Sequence, residues 1–138
     1  MILLDASAII FLMEGTADTQ AAFRTALHES FSEPPPPLAV SALSRLECRV
    51  RPLRDDNQAL LEQYDAFFNA PGLQTIALDA LVIDKATELR ARHRLRTPDA
   101  LQAASLLTHA PHGTLITGDG DFLKVPGLHV RHVITPRP

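Results

Sequence analysis

A length of 138 residues allows one domain with an ordinary core, and a single domain over 1–138 is the expectation. Apolar residues at 46% against 21% charged exclude a disordered chain. A formal net charge of −3 excludes a protein that coats nucleic acid through overall charge, so any phosphate contact must be local. The single cysteine, Cys48, excludes an internal disulfide framework and a Cys-based zinc cluster, and suits a cytoplasmic location.

In chain order, "MILLD" reads as a short buried strand with Asp5 as its last residue. Helical spacing follows from Ser7 to Met13. The apolar run from Ala8 to Met13 is too short to span a bilayer or form a signal core, so no leader and no membrane association are expected. A helix is predicted over about 18–32, with Ala22, Phe23, Ala26 and Leu27 on one face. The prolines of "EPPPP" at 33–37 make an extended linker. "LAVS" is a second strand. "ALSRLECRV" is a helix presenting Leu43, Leu46, Glu47 and Val50 on one side and ending at Pro52. Another helix opens on Asp55 and Asp56 as caps and closes at Pro71-Gly72. "LQTIALD" is a third strand, and a helix carrying Leu81, Ala86, Leu89 and His93 follows it. "TPDALQAASLLTHA" is the best-marked helix, with Thr97 as cap, Pro98 at the first helical position and Asp99 in the first turn. "GTLIT" and "LHVRHVI" supply two more strands. Strands alternating with helices predict a three-layer α/β domain with a mainly parallel central sheet flanked by helices.

In such sheets ligands bind beyond the carboxyl ends of the strands. Asp5 ends a strand, Asp119 follows one by two residues, Asp99 opens a helix, and Glu47 lies about two turns into another. Four carboxylates from four elements thus fall near one rim. Taken singly, each has an ordinary explanation as a cap, a first-turn acid, a turn residue or a solvated helix face. Gathered in one cleft they repel, unless a cation neutralises them. Oxygen donors without His or Cys suit a hard divalent ion, Mg²⁺ or Mn²⁺. The glycines of "GDGD" at 118–121 are read as permitting a tight turn that delivers Asp119.

The set "LLDASAII", "VSALSRLE", "LRTPDALQAAS" and "LITGDGDF" resembles the PIN-domain family, most closely the VapC-type toxins of bacterial toxin–antitoxin pairs. The resemblance runs from Met1 to about Val130 and implies a Mg²⁺- or Mn²⁺-dependent endoribonuclease that leaves a 5′-phosphate and a 3′-hydroxyl. By position it implies Asp5, Glu47, Asp99 and Asp119 as the catalytic acids. Asp5, Asp99 and Asp119 are then the metal contacts, and Glu47 is a further ligand or a residue orienting water. Ser7, Thr117 and Asp121 are supporting groups, with Asp121 either behind the ligands or simply part of the turn.

Phosphate requires positive charge. Arg45, Arg49, Arg51 and Arg54 surround Glu47, and Arg90, Arg92, Arg94 and Arg96, with His93, lead into Asp99. We read Arg45, Arg49, Arg94 and Arg96 as RNA backbone contacts, against the alternative of solvated helix faces. Aromatics at 5% argue against a broad base-stacking platform. The resemblance also implies a small VapB-like antitoxin and a homodimer. Ile9, Ile10, Phe11, Leu12 and Met13 offer apolar surface for the antitoxin, or else pack into the core or the dimer.

Other chemistries fit less well. "HAPH" at 109–112 is a poor zinc pair, and a calcium loop starting at "DGDF" lacks its final acid. Ser7, Ser41 and Ser44 lack a nucleophile elbow. Two alternatives stay open: a housekeeping PIN ribonuclease for RNA maturation or decay, and a non-catalytic PIN-like protein-binding module.

Overall fold

The computed structural model describes residues 1–135; residues 136–138, which the sequence reading places in the same domain, lie outside the described part. The elements run β1 (Ile2–Leu4), α1 (Ala6–Glu14), α2 (Ala17–Glu29), β2 (Leu38–Ser41), α3 (Ala42–Arg54), α4 (Gln58–Phe68), β3 (Leu73–Ile76), α5 (Ala80–His93), α6 (Thr97–His109), β4 (Thr114–Thr117), a 3₁₀ turn (Gly120–Lys124) and β5 (His129–His132). All five strands are parallel, in the order β3-β2-β1-β4-β5. The expected three-layer α/β architecture is therefore present, and the sheet is wholly parallel.

Strand alternation builds the layers. Leu3, Ala39 and Leu115 point to one face, where α5, α6 and the 3₁₀ turn supply Val82, Ala86, Leu89, Ala103, Ala104 and Phe122. Ile2, Leu4, Val40 and Ile116 point to the other, against Ala8, Ile9, Phe23, Ala26, Cys48, Tyr64 and Phe68 from α1 to α4. Both faces are covered, which suits the mainly apolar central strands β1, β2 and β4. From β1 the chain moves outward to β2 and β3, then returns past β1 to β4. The carboxyl ends of β1 and β4 thus flank the reversal of strand order, where a crevice forms.

Several local expectations change. Pro52 does not end α3, which continues to Arg54. The proline forfeits one bond in the last turn, but Asp55 N still donates to Arg51 O at 3.0 Å and Asn57 N to Pro52 O at 2.9 Å. Asp55 closes α3, Asp56 takes a left-handed φ of 52°, and Asn57 caps α4 by accepting from Leu60 N. Arg96, not Thr97, occupies the cap position of α6, and its side chain makes no capping bond because it is used elsewhere. On α5, Leu81 is 72% exposed and Val82 is buried in its place.

The inward face of α3 also differs. Ser44, Cys48 and Pro52 are buried, whereas Leu46 and Val50, read as one side with Leu43 and Glu47, are 60% and 51% exposed and continue into exposed Leu53. The helix lies close to α1, with Cys48 Sγ 3.9 Å from Ala6 O, so only small side chains fit between them. On α1 the opposite holds: Ile9 is fully buried, and Ile10, Phe11, Leu12 and Met13 are half-buried against the core. No described helix is long and apolar enough to cross a membrane.

Candidate metal and active site

The strand register extends naturally into the site. Leu4 pairs with Val40 and with Ile116, which brings Asp5, Ser41 and Thr117 level at the strand ends. Asp5 lies just past β1 rather than within it, and caps α1: its Oδ1 accepts from Ala8 N at 2.9 Å. The same oxygen accepts from Ser7 Oγ at 2.7 Å, and Oδ2 accepts from Thr117 Oγ1 at 2.6 Å. A carboxylate has about four acceptor sites. Three are used, so one position on Oδ2 remains. Capping and lining a cleft are compatible roles for this residue.

Thr117 and Ser7 link the first strand to the last acid. Thr117 Oγ1 accepts from Asp119 N at 2.9 Å, and Ser7 Oγ accepts from Gly118 N at 2.9 Å. Asp119 Oδ1 in turn accepts from Asp121 N at 2.9 Å and opens the 3₁₀ turn. The glycines here serve space, not an unusual turn, since neither takes a positive φ. A Cβ on Gly118 would lie 2.9 Å from Phe11 Cε2, and one on Gly120 would lie 3.3 Å from the His132 ring.

Asp5, Ser7, Glu47, Arg96, Asp99, Gln102 and Asp119 line one cleft of about 270 Å³. At its rim, oxygens of the lining residues Asp99 and Asp119 and of the neighbouring Asp121 lie within 4.8 Å of one another, a spacing that suits a shared cation. The tightest group thus includes Asp121, whose role the sequence left open, while Asp5 stands deeper in the wall. Burial raises the pKa of Asp5, and the nearby Asp119 charge adds to the effect against three hydrogen bonds. Burial likewise raises Glu47, with Asp5 and Asp99 contributing repulsion. Asp99 is raised by burial and by Asp119, against the opposing pull of Arg96. The cleft therefore concentrates negative charge that the protein alone leaves poorly compensated. An all-oxygen donor set in that condition fits a hard divalent cation.

Arg96 is the cation that reaches the acids among the described residues. Its Nε and a terminal nitrogen each lie 3.2 Å from Asp99 Oδ2, and that nitrogen is 3.4 Å from Asp119 Oδ2. Its side chain remains 70% exposed. The other arginines are placed differently. Arg49 Nε is 2.9 Å from Asp65 Oδ1, Arg54 pairs with Asp55, Arg92 with Glu88, and Arg90 donates to Leu95 O. Arg45 lines an open groove on α3 with Leu46, Val50 and Leu53. Arg94 closes α5 with a left-handed φ of 56°. Sequence reasoning missed Gln102, which donates to Glu47. Its signal was present: it stands three residues after Asp99, on the same helix face.

The PIN-domain family model matches residues 2–128. No curated protein sequence matches the chain. Among solved structures, a toxin–antitoxin complex from Klebsiella pneumoniae is similar at TM-score 0.74 and 23% identity, over 99% of this chain and 100% of that one. VapBC2 from Rickettsia felis, bound to a DNA fragment from the promoter, is similar at TM-score 0.69 and 16% identity, over 96% and 98%. VapBC-5 from Mycobacterium tuberculosis is similar at 0.64 and 21%, over 95% and 97%. At these identities the likeness is one of fold.

Proposed function

This chain belongs to the PIN-domain family, and we propose that it is a metal-dependent endoribonuclease, the toxin of a toxin–antitoxin pair. The observation that carries this reading is the convergence of Asp5, Glu47, Asp99 and Asp119 on one cleft, from four separate elements. Asp99 and Asp119, with Asp5 or Asp121 beside them, would hold Mg²⁺ or Mn²⁺. Such an ion lowers the pKa of water and polarises a phosphoryl oxygen. The chain supplies the rest. Ser7 and Thr117 fix the Asp5 carboxylate, and Thr117 also orients the backbone that presents Asp119. Glu47 lines the cleft and would orient the attacking water or add a ligand. Arg96 is close enough to the acids to meet a phosphate drawn into the same space.

The toxin role is supported by the fold's likeness to toxin–antitoxin complexes. A nuclease with a full acidic set needs restraint in its own cell, and a small VapB-like antitoxin covering the cleft would provide it. A homodimer and a cytoplasmic location belong to the same reading. Purified protein with Mn²⁺ should cleave RNA, and Asp5→Asn and Asp119→Asn should lose most of that activity while staying folded. Induced alone, wild type should arrest growth, and co-expression with a cognate antitoxin should relieve the arrest. Cleavage without arrest at high soluble expression would refute the toxin role and leave a housekeeping nuclease. A folded, metal-loaded protein that leaves RNA intact would indicate the binding module.

A further inference from the structure

Gln102 lies in the most deeply buried stretch of α6, where Gln102 to Leu106 are all covered, and is itself 2% exposed. A glutamine in that position loses its water and needs protein partners. Its Nε2 donates to Ser44 Oγ at 2.8 Å and to Glu47 Oε1 at 3.3 Å, while its own Oε1 is buried without a partner. The charge on Glu47 fixes this orientation, because turning the amide over would set one oxygen against another. An apolar side chain of similar size would fill the space with no unpaired carbonyl.

Glu47 needs such a partner. It is half-buried, on a different element from the other acids, and faces the repulsion of Asp5 and Asp99. That repulsion favours rotation of its flexible side chain toward solvent. Gln102 opposes it with a neutral donor, whose Nε2 is also held by Ser44, one turn before Glu47 on α3. We propose that Gln102 is a positioning residue, which through Ser44 and its own buried amide holds the Glu47 carboxylate in the acidic cleft. This role rests on the nuclease reading above.

The test is a double-mutant cycle on Gln102→Met and Glu47→Gln, with RNA cleavage in Mn²⁺ followed in saturating and limiting substrate. Gln102→Met should lower kcat about tenfold with KM little changed, as for loss of a group that orients a ligand. In the Glu47→Gln background the same change should add almost nothing. Without RNA, the Mn²⁺ dissociation constant read by calorimetry should shift together in the two single variants. Ser44→Ala, a gentler change, should give a smaller loss of kcat in the same direction, and covers the case in which Gln102→Met does not fold. Unchanged kcat in both Gln102→Met and Ser44→Ala overturns the proposal. So does an equal loss with and without Glu47, or Mn²⁺ affinities that diverge between the single variants. Inactive wild type removes the nuclease reading and this role with it, whereas active wild type with an indifferent Gln102 removes only the role.

Discussion

Replacing Thr117 by valine deletes one hydroxyl and preserves the shape of a fully buried side chain at the end of β4. That hydroxyl donates to Asp5 Oδ2 at 2.6 Å and accepts from Asp119 N at 2.9 Å. A bond to a buried charge contributes about 1.5–3 kcal/mol, and the unpaired Asp119 N–H adds about 1 kcal/mol. Thr117→Val should therefore cost about 3 kcal/mol, or about 10 °C in Tm for a domain of this size. Thr117→Ser, which keeps the hydroxyl, should stay close to wild type. The pH dependence has a defined sign. The hydroxyl lowers the pKa of Asp5 against the raising effect of burial, so the variant's Asp5 must titrate higher than wild type. The gap in stability is then fully present at pH values above both folded pKa values, and narrows as pH falls through them to the share left by the unpaired Asp119 N–H. Thermal melting between pH 4 and 8, in chelator, reads both quantities. A loss below about 2 °C at pH 8, or a gap that widens in acid, would refute the coupling of Thr117 to an ionised Asp5.

Mn²⁺ at about ten times its Kd should raise the wild-type Tm by about 5 °C, and Asp99→Asn should abolish most of the rise; an equal rise in both would remove Asp99 from the metal site. Arg96→Gln should tighten Mn²⁺ binding measured by calorimetry, because it withdraws a competing cation from Asp99 and Asp119; weaker binding would contradict that competition. Arg94→Gly should stabilise the fold by about 1 kcal/mol, since a non-glycine residue is disfavoured at a φ of 56°, while raising KM for RNA if Arg94 contacts phosphate; an unchanged KM returns Arg94 to a capping role alone. Burial pushes the Cys48 thiol up to about 12, so native protein at pH 8 should react with a thiol reagent only as fast as it opens; immediate labelling would contradict the packing of α3.

Much of the fold was legible because each layer has a simple period. The strands read as short apolar runs between helical segments, and a parallel order follows from their alternation. What failed was local and has one common cause. Leu46, Val50 and Leu81 carry the apolar signal that predicts burial, yet neighbouring helices decide which face of α3 and α5 turns inward. On α3 the approach of α1 selects Ser44 and Cys48, which are small, over leucine and valine. Cap positions failed for a related reason. Thr97 and Asp55 have suitable side chains, but the bend of the chain at Arg94 and Asp56 sets where each helix begins.

The candidate site divides along the same line. Asp5, Glu47, Asp99 and Asp119 were legible because topology alone sends strand ends and helix starts to one edge. Their partners Ser7 and Thr117 came only with the family resemblance, because the hydrogen bond between Asp5 and Thr117, 112 positions apart, depends on which strands are neighbours. Arg96, read as an RNA backbone contact, also bridges two of the acids. Both placements follow from one electrostatic fact. A cleft with this much negative charge draws in whatever cation it can reach. The nearest guanidinium, on an exposed side chain, meets that need here. Being mostly exposed, Arg96 would give way to a metal ion with little loss of packing. A deeply packed arginine would make the same contacts and resist exchange.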